Sequence, residues 1–454
     1  MVEGIEVTLG QAASWIGASL QGGDVGFRGV STDSRRIEPG MLFVALRGPN
    51  HDGHDHVAVA LAKGAVAAMV DHPLEQPIPQ IIVADTRQGL GQLAAAWRRE
   101  LDVAVVAITG SNGKTTVKEM CAAILGKAGA TLATEGNLNN DIGVPLTLLR
   151  LTPEHRYAVI EMGANHAGEI AYLVSLAAPQ VAMITNAGPA HLEGFGSLDG
   201  VAQAKGEIYG GLGEDGVAII NADDRYADFW RGLVGQRRVI SFGAEADVGA
   251  TYQVDDKGQL LLWHGLDREC AFTLPLLGEH NLRNALAASA VALALDLDTS
   301  LIAEGLQGIK PVDGRLCLRR GLAGARVIDD SYNANPASVY AGLQVLAGFS
   351  GKRYLALGDM GELGEDAEAM HREVGVQAQQ LGIDRLYACG PLSQAACEGF
   401  GVQGQHFAVQ QELINALRPQ LDAQVTVLVK GSRASQMDKV ADALSETQTE
   451  KEAN

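Results

Sequence analysis

Short apolar runs alternate with Ala-rich stretches of helical period along almost the whole chain. The first part shows a helical pattern at 8–17 and strand-like runs at 27–32, 41–45, 65–70 and 80–83. A helix is predicted at 86–101, and the continuous apolar run at 103–108 reads as a strand buried on both faces. Further buried strands are predicted at 157–161, 181–185, 216–221 and 239–242, with helices at 168–176 and 197–209. Between 247 and 276 the pattern becomes alternating, most clearly at 259–264 and 270–274, which predicts antiparallel strands. A strongly apolar helix and a helix at 299–307 follow, and Pro311 and Gly314 mark a break near 312. The last part has strands at 325–329, 354–357, 385–389 and 425–429, each ending in a polar or Gly-containing loop. Residues 446–454 read as a charged, disordered tail.

This rhythm predicts an α/β protein, and 454 residues are too many for one core. Three domains are expected. They are a small α/β N-terminal domain (1–84), a central P-loop mononucleotide-binding α/β domain (85–313) and a C-terminal Rossmann-like α/β domain (314–454). The last lacks a Gly-x-Gly-x-x-Gly signal for a dinucleotide.

Charge narrows the partners. Lys and Arg number 35 against 54 Asp and Glu, a net charge of −19, which argues against nucleic acid or an anionic membrane surface. The five cysteines are scattered without zinc spacing, as expected of reduced thiols. No basic stretch followed by an apolar core opens the chain, and no apolar run reaches the length of a membrane span. A cytoplasmic enzyme is the expectation.

The strand at 103–108 leads into the first chemistry. TGSNGKTT follows it and opens a helical pattern. Glycines let backbone N–H groups turn toward an anion, and the helix N-terminus adds a favourable field. Gly110, Ser111, Asn112, Gly113, Lys114, Thr115 and Thr116 therefore form a candidate ATP-phosphate cradle, with Lys114 on the terminal phosphates and Thr115 on Mg²⁺. The usual loop has a further Gly where this chain has Ile108, so the loop is shorter. Glu161 ends a predicted strand, where a Mg²⁺ carboxylate would sit, and His191 follows another strand end. Lys205, read alone, is a solvated surface residue.

Asn137, Asn139 and Asn140 lie in a loop that could bind a polar substrate, and Asn281 and Asn284 share one helix face. The run HDGHDH at 51–56 raises a metal site. Adjacent ligands around Gly53 suit a polar ligand-binding loop or a capped helix start better. No Asn-Lys-x-Asp stretch reads guanine, so a GTPase is disfavoured.

TGSNGKTT, EMG, TNAGPAHLEGFGS with AKGEIY, GEHNLRNALAA, DDSYNANP, GDMGELG and VLVKGSRAS together resemble the Mur ligases of bacterial cell-wall synthesis, over essentially the whole chain. The first motifs are shared with folylpolyglutamate synthetases. The last ones point to the branch that adds D-Ala-D-Ala to UDP-N-acetylmuramoyl-tripeptide. The Asp-Asn-Pro-Arg motif of the ligase that adds the third residue is absent.

The resemblance implies that ATP phosphorylates the tripeptide carboxylate and that the amine of D-Ala-D-Ala then attacks the acyl phosphate. Lys114, Glu161, His191 and Lys205 would be catalytic, with Thr115, Glu161, His191 and a carbamylated Lys205 holding two Mg²⁺ ions. Asn281, Asn284, Arg315 and Asp330 would contact ATP. Thr32 and Ser34 would lie at a uridine site with Asn50 and His51 nearby, and Asn137, Asn139 and Asn140 would touch the muramoyl part. Tyr332, Asn335 and residues 430–433 would receive D-Ala-D-Ala. A monomer is the working expectation. The rivals are a folylpolyglutamate synthetase, disfavoured by the Ser-Thr-Asp-Ser-Arg stretch near the N-terminus, and a P-loop switch without ligase chemistry.

Overall fold

The computed structural model describes residues 4–189, 192–255, 258–276 and 278–446. Three α/β domains follow one another along the chain. The first is built on a sheet ordered Ser19–Gln21, Gln80–Ile82, Ala67–Val70, Leu42–Val44, Val30–Ser31, parallel except at its first pair. The run expected as one strand at 27–32 is two. Gly26–Arg28 pairs antiparallel with Glu6–Thr8, Gly29 turns the chain at φ +75°, and Val30–Ser31 joins the larger sheet.

The central sheet has nine strands. Its order is Arg268–Leu274, Gly258–Gly265, Val248–Asp255, Arg238–Phe242, Val217–Asn221, Val181–Ile184, Ala104–Thr109, Tyr157–Glu161, Thr131–Ala133. The first three form the expected antiparallel extension, and the others run parallel. Both faces of the parallel part are covered. Helices Lys114–Ala128, Glu279–Ala294 and Thr299–Gln307 share a core on one side, and Thr86–Arg99 and Glu169–Ala177 pack on the other. The chain leaves Ala104–Thr109 and returns first on one side of it and then on the other, which opens a crevice beyond the strand ends.

The core on the second face does not stop at the central domain. Ile5, Leu9, Phe27, Leu42 and Met69 of the first domain are continuous with Leu90, Leu93, Trp97, Val105 and Ile160. Within the central domain, Arg98 is buried and donates to the carbonyl oxygens of Ala177, Leu101 and Val103 at 2.9–3.1 Å. The third domain has separate cores on the two faces of its six-stranded sheet. That sheet is ordered Cys317–Arg320, Arg326–Asp330, Val425–Lys430, Lys352–Gly358, Arg385–Cys389, Gly404–Phe407, with only the first pair antiparallel.

All five cysteines are free thiols. Among the described residues no helix is long and apolar enough to cross a membrane. Most of the expected tail lies outside the described residues. Its first residue, Glu446, is described and pairs with Arg320 at 3.1 Å.

Candidate active site

The turn after Ala104–Thr109 requires glycine at two positions. Gly110 sits at φ +152°, where a Cβ would run into the Thr185 hydroxyl. Gly113 sits at φ +82°, with Asn284 Oδ1 only 2.6 Å from where a Cβ would be. The shortened loop is braced by the segment after the neighbouring strand. The Thr185 hydroxyl donates to Asn112 O at 2.6 Å, and the Asn112 N–H donates to Asn186 Oδ1 at 2.9 Å. The Ser111 hydroxyl donates to Gly188 O at 3.0 Å and accepts from the Gly188 N–H at 2.9 Å. Sequence reasoning read TNAG only as the lead-in to His191 and missed this brace.

Lys114 opens the next helix, and its Nζ folds back to donate to Gly110 O at 2.7 Å. Burial pushes its ammonium below the usual lysine range, and Glu161 nearby opposes that shift. Glu161 is almost fully buried. Its Oε1 accepts from Asn139 Nδ2 at 2.9 Å, whereas its buried Oε2 has no partner among the described residues. A buried carboxylate oxygen left open beside a phosphate cradle fits a hard cation, with the Thr115 hydroxyl lining the same cleft. Lys205 is not the surface residue it resembles in isolation. It is 3% exposed on the helix Leu198–Gly206. Burial first, and the Lys114 charge second, hold its amine well below the usual range.

The third domain closes the opposite wall. Asn335 caps the helix Pro336–Ala347, and its Nδ2 donates to Asn112 Oδ1 in the phosphate loop at 2.8 Å. Arg315 stacks on Tyr332 with 4.3 Å from Cζ to the ring centroid and approaches the Thr115 hydroxyl at 3.5 Å. Its Nε is buried without a partner among the described residues, as expected of a group that waits for an anion. Arg433 lies over the same ring at 5.7 Å.

The walls enclose a cavity of about 880 Å³ that contains Lys114, Thr115, Asn139, Asn140, Glu161, Lys205, Arg315, Tyr332 and Asn335. A second cavity of about 330 Å³ lies behind the loop. There Thr116, Asn281, Asn284, Arg315 and Asp330 meet His280, Phe242 and Lys430. Burial, with help from Lys430 and Arg283, pushes the His280 imidazole down to about 4.

Other expected residues lie elsewhere. Thr32, Ser34, Asn50 and His51 belong to the first domain and line neither cavity, and Asn137 stays outside while its two neighbours enter. His191 lies outside the described residues. The run at 51–56 is a capped helix start, because Asp52 accepts from the His54 N–H at 3.0 Å. His54 alone of its histidines comes near other metal-type ligands, Asp71 and His72, and its Nε2 already accepts the Asp71 N–H at 3.2 Å.

Matches to known families repeat this three-part layout. Residues 26–98 match "Mur ligase family, catalytic domain", residues 108–292 the Mur ligase middle domain, and residues 314–433 "Mur ligase, glutamate ligase domain". The chain belongs to the Mur ligase family. Within the family it is similar to the UDP-N-acetylmuramoyl-tripeptide–D-alanyl-D-alanine ligase of Escherichia coli, at 48% identity over 98% of this chain and 100% of that one. Two solved structures share its form. One is the UDP-N-acetylmuramoylalanyl-D-glutamyl-2,6-diaminopimelate–D-alanyl-D-alanyl ligase of Acinetobacter baumannii, with TM-score 0.90 and 38% identity over 98% of this chain and 99% of that one. The other is the MurF ligase of Thermotoga maritima in complex with ADP, with TM-score 0.83 and 28% identity over 92% and 96%.

Proposed function

We propose that this chain joins D-alanyl-D-alanine to UDP-N-acetylmuramoyl-tripeptide at the expense of ATP, in the cytoplasm, as a step of peptidoglycan precursor synthesis. The observation that carries the reading is the single cleft in which the phosphate loop, Glu161 and Lys205 face Arg315, Tyr332 and Asn335 of the third domain. Similarity to the E. coli ligase along the full length supports the choice of substrates.

A carboxylate is a poor acyl donor in water, so the reaction needs a leaving group. The terminal carboxylate of the tripeptide attacks the γ-phosphorus of ATP, and ADP departs. The uncharged amine of D-Ala-D-Ala adds to the acyl carbon, the tetrahedral intermediate expels phosphate, and the new amide nitrogen loses one proton. Lys114 and Arg315 balance charge on the phosphoryl group from opposite walls. Asn281, Asn284 and Asp330 line the smaller cavity, which suits the nucleoside. Asn139 and Asn140 take the muramoyl side, with Asn137 behind them and with Thr32, Ser34, Asn50 and His51 toward the uridine. Tyr332, Asn335 and Arg433 receive the dipeptide.

Thr115 and the open oxygen of Glu161 would hold Mg²⁺, which when bound neutralises the phosphate oxygens during transfer. Lys205, buried without an anionic partner among the described residues, is suited to carry a carbamate and so complete a second cation position with His191. The test is phosphate release from ATP with each substrate withheld in turn. Release should require both UDP-N-acetylmuramoyl-tripeptide and D-Ala-D-Ala, and release that ignores D-Ala-D-Ala would refute the ligase reading.

A further inference from the structure

One end of the large cleft is lined by three polar groups that the proposed chemistry leaves unused. Arg87 stands in the first turn of the helix Thr86–Arg99, Asp141 lies just before the helix Gly143–Leu148, and Tyr172 comes from the helix Glu169–Ala177. Arg87 Nε and Asp141 Oδ2 are 3.1 Å apart, and the two side chains are 53% and 37% exposed. Among the described residues no other side chain takes the terminal nitrogens of Arg87 or the second oxygen of Asp141.

Tyr172 lines the same wall. Its hydroxyl passes over Gly91, where any Cβ would collide with it. Gly91 is one helical turn beyond Arg87 and therefore on the same face. The phenol feels all three neighbouring charges. Burial first, then Asp141 and Asp85, raise its pKa, while Arg87 lowers it.

We infer that Arg87 and Asp141, with the Tyr172 hydroxyl beside them, read the side chain of the third tripeptide residue and favour one that ends in an amino-acid zwitterion, such as 2,6-diaminopimelate, over lysine. The inference rests on the proposed ligase reaction, which puts the reacting carboxylate of that same residue in this cleft beside Lys114 and Lys205. A zwitterionic head matches the pair charge for charge. Its carboxylate meets the guanidinium and its ammonium meets Asp141. A lysine ammonium would find Asp141 but would bring a like charge to Arg87. An ion pair this exposed is weak, so a ligand can enter between its partners at little cost.

The test compares kcat/KM for the diaminopimelate and lysine forms of UDP-N-acetylmuramoyl-tripeptide with saturating ATP and D-Ala-D-Ala. The unaltered protein should prefer the diaminopimelate form by about tenfold or more, the scale of one charged recognition contact. Arg87→Gln should bring the ratio to about one through a higher KM for the diaminopimelate form, with kcat nearly unchanged. Arg87→Glu should invert the preference by improving the lysine form, a gain that a folding defect cannot produce. Arg87→Lys, which keeps the charge without the fork, should retain part of the preference. An unaltered protein without preference, or an Arg87→Gln variant that loses both substrates alike, would overturn the inference. The second outcome would place Arg87 on a charge that both substrates share. Failure of the unaltered protein to turn over either tripeptide would overturn the ligase reading itself.

Discussion

Asp330 and Lys430 end neighbouring parallel strands in direct register, behind the phosphate loop. Lys430 Nζ lies 2.5 Å from Asp330 Oδ2 and also donates to Asn333 O at 3.1 Å. Both side chains are withdrawn from water, at 2% and 10% exposure. Burial drives both groups toward their neutral forms, and each is held charged by the other. Asp330→Asn keeps the shape and removes the anion, which strands the ammonium. Breaking a buried pair in this way costs about 3–5 kcal/mol. The ceiling is set by deprotonation, because forcing a lysine of ordinary pKa to be neutral at pH 7 costs about 4.6 kcal/mol. At about 2–4 °C per kcal/mol for a domain of this size, the third domain should melt about 6–18 °C lower. Lys430→Met on the same chain removes the stranded charge and should recover most of the loss. Calorimetry of the full chain reads both effects, with chemical denaturation as a second probe. A single variant that melts within a degree of the unaltered protein would refute the reasoning. So would a double variant that melts as low as the single one.

Four further outcomes follow from the site. Asn139→Ala removes the donor on Glu161 Oε1 and should raise the Mg²⁺ concentration for half-maximal phosphate release by about 10–100-fold, the usual effect of losing such a support. Gly113→Ala places a Cβ 2.6 Å from Asn284 Oδ1 at a left-handed φ and should weaken ATP binding more than tripeptide binding, as read by calorimetric titration. Lys205→Ala should abolish turnover that bicarbonate does not restore, and near-normal turnover would remove Lys205 from the site.

The fourth concerns pH. His280 titrates at about 4 in the folded chain against an ordinary 6.5, so between these values the unfolded chain binds more protons. Its stabilising contribution is complete above about 6.5 and is lost as the pH falls toward 4, at up to about 1.4 kcal/mol per pH unit. His280→Asn should flatten that slope in urea titrations at several pH values.

The parts of this molecule that sequence reveals are those encoded within a few neighbouring residues. An apolar run, a glycine turn and Lys114-Thr115 at a helix start announce the phosphate loop because strand, turn and helix are consecutive. Glu161 is legible for the same reason, as the last residue of a buried strand. Lys205 is not, because what buries it comes from elsewhere in the chain, including Phe195, whose ring centroid is 6.0 Å from Nζ. The Asn112–Asn335 hydrogen bond joins residues 223 positions apart, and the pair Asp330–Lys430 spans 100. No local pattern encodes either. The strands Cys317–Arg320 and Gly404–Phe407 escape for another reason. They are sheet edges with no fully buried residue, so they lack the apolar run by which the inner strands are recognised.

The apolar seam between the first two domains has a kinetic consequence. One continuous core joins them, and the third domain keeps its cores to itself. The surfaces assigned to the uridine end and the phosphate loop therefore belong to one stiff body, and their spacing is set before any substrate arrives. The sugar-linked peptide can land on this body alone, whereas the nucleotide's proposed site also takes Arg315 and Asp330 from the third domain. The residues proposed for the dipeptide, Tyr332, Asn335 and Arg433, likewise lie on the third domain. Rapid mixing should accordingly show a bimolecular phase for the sugar-linked peptide whose rate Arg315→Ala leaves unchanged, while the nucleotide phase responds to that substitution. Distance probes across the seam should stay still throughout.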